Sequence, residues 1–312
     1  MTHQPQITMT SWLMIALLGL TWGGTFMVIE VALEGMTPFW IAAGRTTFAA
    51  VLMVAIWAFM GFRLFDTPTS TATKSTVAAI GALSSAVPFI LLSWGQQFVT
   101  SGFAGVSMAS VGLIVLPLAH FLVPGEQMSL RKVAGFVIGF VGICILIGGQ
   151  AIESSGATLE TPGRIACILA ASCYAVSTTL MRRLPKVNPI GLAAVLFLIG
   201  SAIVIPAAII VEGMPPMPDS KTVLVIAFLG LVPTAAASLL RVLVVRSAGP
   251  VFMSLTSYQV PVWSVLLGAL ILGEPLPPSL LWATLLILGG VGLSQYGALS
   301  RLFGNNRPKK TP

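Results

Sequence analysis

The sequence predicts an all-α integral membrane protein of about ten transmembrane helices, arranged as two inverted five-helix repeats with both termini in the cytoplasm. Its composition, the spacing of its apolar runs and the placement of its basic residues support this fold. Of 312 residues, 56% are hydrophobic and 8% are charged, and the mean hydropathy is +0.97. A soluble domain carries roughly 25% charged residues. The composition therefore excludes a soluble domain, a disordered protein and, despite a net charge of +7, a nucleic-acid-binding protein.

Ten apolar runs are each long enough to cross a bilayer, which takes a helix of about 20 residues. Charged residues or clusters of proline, glycine and serine separate these runs. Pro38, Pro189 and Pro250 each open a predicted helix. The predicted spans cover residues 11–30, 37–60, 76–97, 101–122, 131–150, 163–182, 188–211, 222–245, 251–272 and 279–299.

The basic residues test this division of the chain. With the N-terminus in the cytoplasm, 12 of the 16 lysines and arginines fall in inner loops or in the C-terminal tail. Arg164 and Lys221 fall outside, and Arg45 and Arg241 lie within spans. Short cytoplasmic loops are enriched in Lys and Arg, and a missed helix would have scrambled the alternation. No Lys or Arg precedes the first run, so we expect a retained helix and not a cleavable signal peptide.

The two halves of the chain resemble each other. EQMSLRKVAGFVIGFVG, beginning at Glu126, matches EPLPPSLLWATLLILGG, beginning at Glu274, at an offset of 148 residues. Both glutamates precede a helix start, where a carboxylate offsets the positive helix end. Because each half has an odd number of helices, the halves must lie in opposite orientations, as in transporters with alternating access. The predicted units are repeats over 11–150 and 163–299 and a basic cytoplasmic tail over 300–312.

Several segments resemble EamA-type transporters of the drug/metabolite transporter superfamily, and the resemblance covers residues 11–299. They are LTWGGTFMVIEVALEGMTPFWIAAGRTTFAAVLM in the first two helices, Pro117 to Glu126, and Pro261 to Glu274 with the Gly-rich last helix. Nine residues separate the first Pro and Glu and thirteen the second, so the first half lacks about one helical turn there. The resemblance implies a carrier in the cell inner membrane, with a cavity lined by the first, third and fourth helices of each half.

Motifs for other chemistry are missing from the sequence. There is no GxxxxGK[ST] loop for ATP, no HExxH motif and no Asp/Glu/His cluster for a metal. GVSMA at 105–109 approaches a GxSxG motif but lies inside a span. We therefore expect no enzyme activity, no cofactor and no metal site. All nine acidic residues fall in loops or at span ends, which counts against a proton relay at the membrane centre.

Two arginines are candidates for substrate binding because a cation within a span is costly and usually faces a cavity or a partner. Arg45 lies about 10 Å into the second helix. It either contacts an anion or carboxylate in the transport path or ties helices together through carbonyls and hydroxyls. Arg241 lies about one turn from the cytoplasmic end of the eighth helix. It either extends to the interface or contributes to an inner gate or a substrate contact.

Aromatic and polar side chains on the helices assigned to the cavity are the other candidates. Trp22 is favoured because glycines at 19, 23 and 24 leave space around it, although Gly19 and Gly23 also fit close helix packing. The aromatic residues could instead serve only in packing. The serine and threonine hydroxyls could instead form hydrogen bonds with the backbone of their own helix. His120 and Glu30 are weaker candidates for proton coupling. The remaining substrate-binding candidates are Thr25, Trp94, Gln97, Ser110, Tyr174, Ser177, Tyr258 and Gln259.

These features favour a secondary transporter that exports, or facilitates the movement of, small organic metabolites such as amino acids. A proton-coupled antiporter of the same family is the main alternative. A multi-pass membrane enzyme would need a His/Asp/Glu or Ser/His cluster near the interface, and a non-transporting scaffold would fill its lumen with bulky side chains. The expected partners are a small-molecule substrate and the lipid bilayer, with no nucleic acid, and a homodimer is left open.

Overall fold

A computed structural model describes residues 7–123, 127–148 and 159–304. These residues form helices and contain no β-strand, apart from one isolated bridge between Phe65 and Val187. A single helical turn, Pro250–Met253, precedes the helix that begins at Thr256. The helices are α1 (Met9–Leu33), α2 (Pro38–Phe59), α3 (Thr71–Gly95), α4 (Ser101–Leu122), α5 (Leu130–Gly148), α6 (Glu160–Met181), α7 (Pro189–Glu212), α8 (Ser220–Ala248), α9 (Thr256–Leu272) and α10 (Pro278–Gly304).

Within the described ranges, nine helices are long and apolar enough to cross a membrane. The expectation of an all-α chain of membrane-crossing helices is confirmed to that extent. The ninth predicted span, 251–272, is divided, because a turn at Ser254 and Leu255 leaves α9 with 17 residues, too short to count among the nine. Glu126 and residues 305–312 of the predicted tail lie outside the described residues.

Polar residues before the helices set several of their starts. The side chains of Ser70, Thr100 and Asp219 each accept a hydrogen bond from a backbone N–H in the first turn of α3, α4 and α8. Pro38 and Pro189 occupy the first position of α2 and α7, where the missing N–H costs nothing. Because Ser70 caps it, α3 begins at Thr71, five residues before the predicted span, and includes the polar sequence TATKS.

Two helices widen locally into a π-turn near the middle of their length. The wider turns are Ala82–Ala86 in α3, just before Pro88, and Gly230–Ala236 in α8, which contains Pro233. A proline inside a helix removes a backbone donor and frees a carbonyl. Such wider turns are frequent at functional sites. The α8 turn is the one that bears on the candidate site.

The helices pack mainly across the two halves of the chain, α1–α5 and α6–α10. The helix α1 packs against α9, and α6 packs against α4, while α2 contacts α8 as α7 contacts α3. The helix pairs α2–α7 and α5–α10 complete the bundle. In the last of these pairs, Gly135 and Gly290 bring two backbones together.

The main apolar core lies between α1, α3, α4, α5, α6, α9 and α10. Phe103, Leu113 and Ile287 are almost fully buried in it. Trp22, Tyr174 and Tyr258 pack against its margin. Three candidate side chains are therefore held by the same core.

Arg164 does not lie in an outer loop, where the charge count places it. It belongs to the second turn of α6 and is 1% exposed. Its guanidinium pairs with Glu160 one turn earlier and donates to the Ile147 carbonyl oxygen at 2.9 Å. The polar sequence around residue 160 is helical, so the arginine is buried between α5 and α6.

One end of the bundle, here called the glutamate end, carries Glu30, Glu34, Glu212 and Glu274. The Glu212 carboxylate accepts from the Thr37 hydroxyl at 2.6 Å and from the Phe39 N–H at 3.1 Å, which places it at the start of α2. Lys221 Nζ lies 3.0 Å from the Glu34 carboxylate. Carboxylates of the second half thus contact helix starts of the first half at this end.

Candidate functional site

Arg45 lies in the second turn of α2 with its guanidinium buried among other helices. Its side chain is 7% exposed. Nε donates to the Thr234 hydroxyl of α8 at 2.8 Å, and the guanidinium carbon lies 3.9 Å from the centroid of the Phe89 ring of α3. A guanidinium over an aromatic face is stabilised by the ring quadrupole. Two neighbouring helices therefore fix the plane of this cation.

The π-turn of α8 orients Thr234 toward Arg45. The Thr234 hydroxyl donates to the Leu229 carbonyl oxygen at 2.7 Å, five residues earlier, which a regular α-helix would not allow. Its proton is committed to that carbonyl, so the oxygen is free to accept from Arg45. The wider turn thus makes Thr234 an acceptor at the centre of the bundle.

No carboxylate neutralises Arg45 in the part of the chain that the structure describes. The bond to Thr234 is the one hydrogen bond that its guanidinium makes among these residues. Neither terminal nitrogen is completely enclosed by protein. Removing an unpaired cation from water is costly. The arrangement can therefore bind an anion, and a carboxylate matches the fork of a guanidinium.

Trp22 and Tyr174 lie beside this cation. Trp22 Nε1 donates to the Pro233 carbonyl oxygen at 3.0 Å, so Trp22 and Arg45 contact adjacent residues of α8. Tyr174 of α6 packs against the cluster that contains Phe89, the ring over which the Arg45 guanidinium lies. The structure thus brings three of the predicted residues together, on α1, α2 and α6.

Arg241 lies on the same face of α8 as Thr234, two turns further along the helix. Ala237 and Val244, on that face, are buried in a cluster with Ile15 of α1. The Arg241 side chain is nevertheless exposed and makes no hydrogen bond or ion pair within the described ranges. A second unpaired cation therefore lies roughly 10 Å from Thr234 along this face.

Five other candidates lie within the helices, and none of them forms a hydrogen bond with Arg45. The Thr25 hydroxyl donates to the Thr21 carbonyl at 2.9 Å, and that of Ser177 to the Tyr174 carbonyl at 3.0 Å, as expected for back-bonded hydroxyls. The Ser110 and Tyr258 hydroxyls are enclosed without a hydrogen-bond partner. Gln259 packs so closely on Gly19 that a Cβ there would lie 2.6 Å from the amide oxygen.

Trp94, Gln97 and His120 lie toward the ends of the bundle. Trp94 forms an edge contact with Phe98, with 5.1 Å between ring centroids, at the glutamate end. Gln97 is exposed in the turn after α3, whereas its neighbour Gln96 is buried. His120 is exposed near the opposite end and contacts the Phe121 ring at 4.9 Å. These three side chains do not join the cluster around Arg45.

Glu274 caps a helix of the other half. Its carboxylate accepts from the Ser101 N–H at 2.7 Å and from the Gly102 N–H at 3.0 Å, at the start of α4. The sequence predicts a carboxylate at a helix start, but the helix is α4 and not α10, the helix that follows Glu274 in the chain. Two backbone donors and the positive helix end hold this carboxylate in place.

Two shallow cavities lie at the ends of the bundle. One, of about 210 Å³, is lined by residues that include Thr76 and Arg183, and the other, of about 280 Å³, includes Glu34 and Lys221. None of the predicted binding residues lines either cavity. Among the residues with assigned positions, no group of three His, Cys, Asp or Glu side chains could hold a metal.

The family model of the EamA-like transporter family matches the chain twice, over residues 9–148 and 161–295. The chain belongs to the EamA-like transporter family. The resemblance drawn from its sequence is thereby confirmed, and several relatives of this EamA protein are named as transporters.

Three relatives are similar over most of their length. An "Uncharacterized transporter" of Archaeoglobus fulgidus is 27% identical, with 93% of this chain and 97% of the relative covered. The "Uncharacterized inner membrane transporter YedA" of Escherichia coli K12 is 27% identical over 82% of this chain and 80% of its own. The "Probable terminal-alkyne amino-acid exporter" of Streptantibioticus cattleyicolor is 25% identical over 94% of each. The EamA protein is a multi-pass protein of the inner membrane.

A solved structure shares the fold of this EamA protein. It is described as "Crystal structure of protein", with a TM-score of 0.64 and 22% identity, over 93% of this chain and 98% of the other. At 22% identity, this similarity shows only that the two chains share a fold.

Sequence reasoning missed Thr234 and Phe89, the two residues of the EamA protein that hold Arg45. Threonine and phenylalanine are common within spans, so neither residue type draws attention. The available signal was Pro233, one of the in-span prolines that permit a kink.

Proposed function

We propose that this EamA transporter is a secondary carrier that exports, or facilitates the movement of, small organic metabolites bearing a carboxylate, such as amino acids or related compounds. It works by alternating access around a cavity between two inverted five-helix repeats. Membership of the EamA family supports the transport function. A relative named as an amino-acid exporter, at 25% identity, is consistent with this substrate class.

The buried and unpaired guanidinium of Arg45 carries the proposal of a carboxylate. A cation at this depth needs a compensating partner, and the described residues supply a neutral hydroxyl and an aromatic face. A substrate carboxylate can form two parallel hydrogen bonds with the free terminal nitrogens. Trp22 and Tyr174, on opposite halves of the chain, provide apolar surface beside it for the rest of the molecule.

The pattern of helix contacts supports the two-repeat arrangement. If α1–α5 correspond to α6–α10, then the contact of α1 with α9 corresponds to that of α6 with α4. The contact of α2 with α8 corresponds in the same way to that of α7 with α3. The double match of the family model points in the same direction. The π-turns of α3 and α8 are also equivalent, so each repeat has one irregular helix near the centre.

The substrate class is tested by thermal stabilisation of the purified protein across a metabolite panel. We expect amino acids or related carboxylates to raise the melting temperature, and the matching amides and esters to raise it much less, because they offer no charge to Arg45. A ligand that stabilises should also show counterflow in proteoliposomes. Stabilisation by cations or uncharged sugars alone would contradict the carboxylate proposal, and no counterflow with any stabilising ligand would contradict a carrier.

Reporter fusions test the topology. A fusion after Pro312 and one within 63–74 should read cytoplasmic, because basic residues cluster in the C-terminal tail and in that loop. A fusion within 153–160, which contains no Lys or Arg, should read periplasmic. The matched reporter at each site, active only on the other side of the membrane, serves as the control. A periplasmic C-terminus would overturn the inverted arrangement.

A further inference from the structure

We propose that Arg241 is a second anion-binding residue of the carrier, and that the substrate is a small dicarboxylate held between Arg45 and Arg241. This inference rests on the proposed carrier function and narrows its substrate class. Arg241 lies in the part of α8 that is far from the glutamate end, two turns before the helix ends at Ala248. A charged residue within a span usually faces the bundle interior and belongs to a transport path.

The packing of α8 determines the direction in which Arg241 points. Successive residues of a helix are about 100° apart around its axis, so three residues on this part of α8 lie within about 60° of Arg241. They are Ala237, Val244 and Ala248, and all three are buried in the cluster that contains Ile15 of α1. The face of α8 that carries Arg241 is therefore turned toward α1 and the bundle interior.

The outer side of α8 lies opposite Arg241. Leu243 and Ser247 are about 160° and 120° away from Arg241 around the helix, and both are exposed. Arg246, which is also exposed, is about 140° away and lies in the last turn of α8. Arg246 can extend to the membrane interface. Arg241 has the opposite orientation, so extension to the interface does not account for its exposed side chain.

No carboxylate of the described ranges neutralises Arg241. It forms no ion pair and no hydrogen bond with the residues whose positions the structure gives. The carboxylates in those ranges lie at the glutamate end or at the start of α8, or pair with another cation: Glu30, Glu34, Glu212, Asp219, Glu274, Asp66 with Lys186, and Glu160 with Arg164. An anion in the interior would therefore meet a free guanidinium here.

Arg45 and Arg241 are brought close by the same face of α8. Nε of Arg45 donates to Thr234 of α8 at 2.8 Å. Arg241 follows Thr234 by seven residues, a rise of about 10 Å along the helix. Long side chains on a helix lean toward its N-terminus, which for Arg241 is the direction of Thr234. A short molecule with an acidic group at each end therefore has a guanidinium to bind at both ends.

The balance of charge favours two carboxylates over one. A zwitterionic amino acid has a single carboxylate for two cations, and its ammonium group would be repelled by the guanidinium that it approaches. A dicarboxylate, including an amino acid with an acidic side chain, neutralises both arginines. Each carboxylate can form two parallel hydrogen bonds with a guanidinium.

Ligand-dependent melting of the purified protein tests the second site, with glutarate and its mono-amide, glutaramate, as probes. Wild type should bind glutarate about tenfold more tightly, because the amide loses one contact between charged groups. In Arg241→Met this preference should disappear, and glutaramate should bind as it does to wild type. Arg246→Met is the matched control, since it removes an exposed cation on the outer side of the same helix, and it should retain the preference.

Two further variants and measurements separate the possible outcomes. Arg241→Lys should restore part of the preference, because lysine keeps the charge. Ligand-free Arg241→Met should melt at or above the wild-type temperature, because it removes an unpaired cation. Equal binding of the two probes to wild type, or an unchanged preference in Arg241→Met, would overturn the dicarboxylate proposal. Tight binding of glutarate without counterflow in proteoliposomes would instead refute the carrier function and leave the second anion site supported.

Discussion

Replacing Arg45 with methionine should weaken binding of a carboxylate substrate by about 10- to 100-fold. Methionine retains much of the length and the apolar contact but loses the charge and all donors. A hydrogen bond to a charged group contributes about 1.5–3 kcal/mol, and each 1.4 kcal/mol is a factor of about ten in affinity. The dissociation constant from ligand-dependent melting and the initial rate of counterflow would measure the loss. Arg45→Lys should recover part of it, because lysine keeps the charge without the planar fork.

The same variant separates the two roles that the sequence leaves open for Arg45. If the guanidinium serves the substrate, Arg45→Met should keep or raise the melting temperature of the free protein, because it removes an uncompensated buried cation. If Arg45 is a tie between α2 and α8, the variant should melt earlier and bind the substrate as before. Thr234→Val, which removes the acceptor of Nε, should also weaken carboxylate binding, but by less than Arg45→Met does. Arg183→Met, at an exposed arginine outside the site, is the control and should change neither quantity.

The positions of most helices could be predicted from sequence because a span is defined mainly by its apolar composition. Pro38 and Pro189 begin helices as expected. The predicted helix boundaries are wrong where a polar segment is nevertheless helical. The segment after Ser70 is polar yet helical, because the serine caps it, and Arg164 lies inside α6 although the surrounding sequence reads as a loop. Hydropathy marks the apolar interior of the membrane, whereas capping determines where a helix begins.

The candidate site could be predicted only one residue at a time. Arg45 is conspicuous because charges are rare within spans, and Trp22 because glycines surround it. Their partners, Thr234 and the Pro233 carbonyl, lie 189 and 211 positions further along the chain, and no local pattern connects them. The same reason applies to Glu274, whose carboxylate binds backbone donors 172 and 173 residues away. Long-range pairing follows from helix packing, which one sequence does not encode in any local motif.

Among glycine-to-alanine substitutions in the α5–α10 contact, Gly290→Ala should lower the stability of the folded protein most. A Cβ at this position would meet the Gly135 carbonyl oxygen and would lie 2.6 Å from the Gly139 nitrogen. Both are backbone atoms of α5, so no side-chain rotation can relieve the clash. Overpacking of a close contact typically costs about 1–3 kcal/mol. Since the helix pair joins the last helices of the two halves, we expect a lower melting temperature and a reduced yield of folded protein.

Gly289→Ala is the matched control, because the neighbouring glycine of the same helix has no heavy atom within 4 Å of its hypothetical Cβ. Alanine there should be neutral or stabilising by up to about 1 kcal/mol, the ordinary helix preference of alanine over glycine. The two variants differ in nothing but the side of α10 that carries the methyl group. Equal melting temperatures for both would show that α5 and α10 do not approach backbone to backbone in the membrane. A loss confined to Gly290→Ala would instead make glycine at this position a steric requirement of the contact between the two halves.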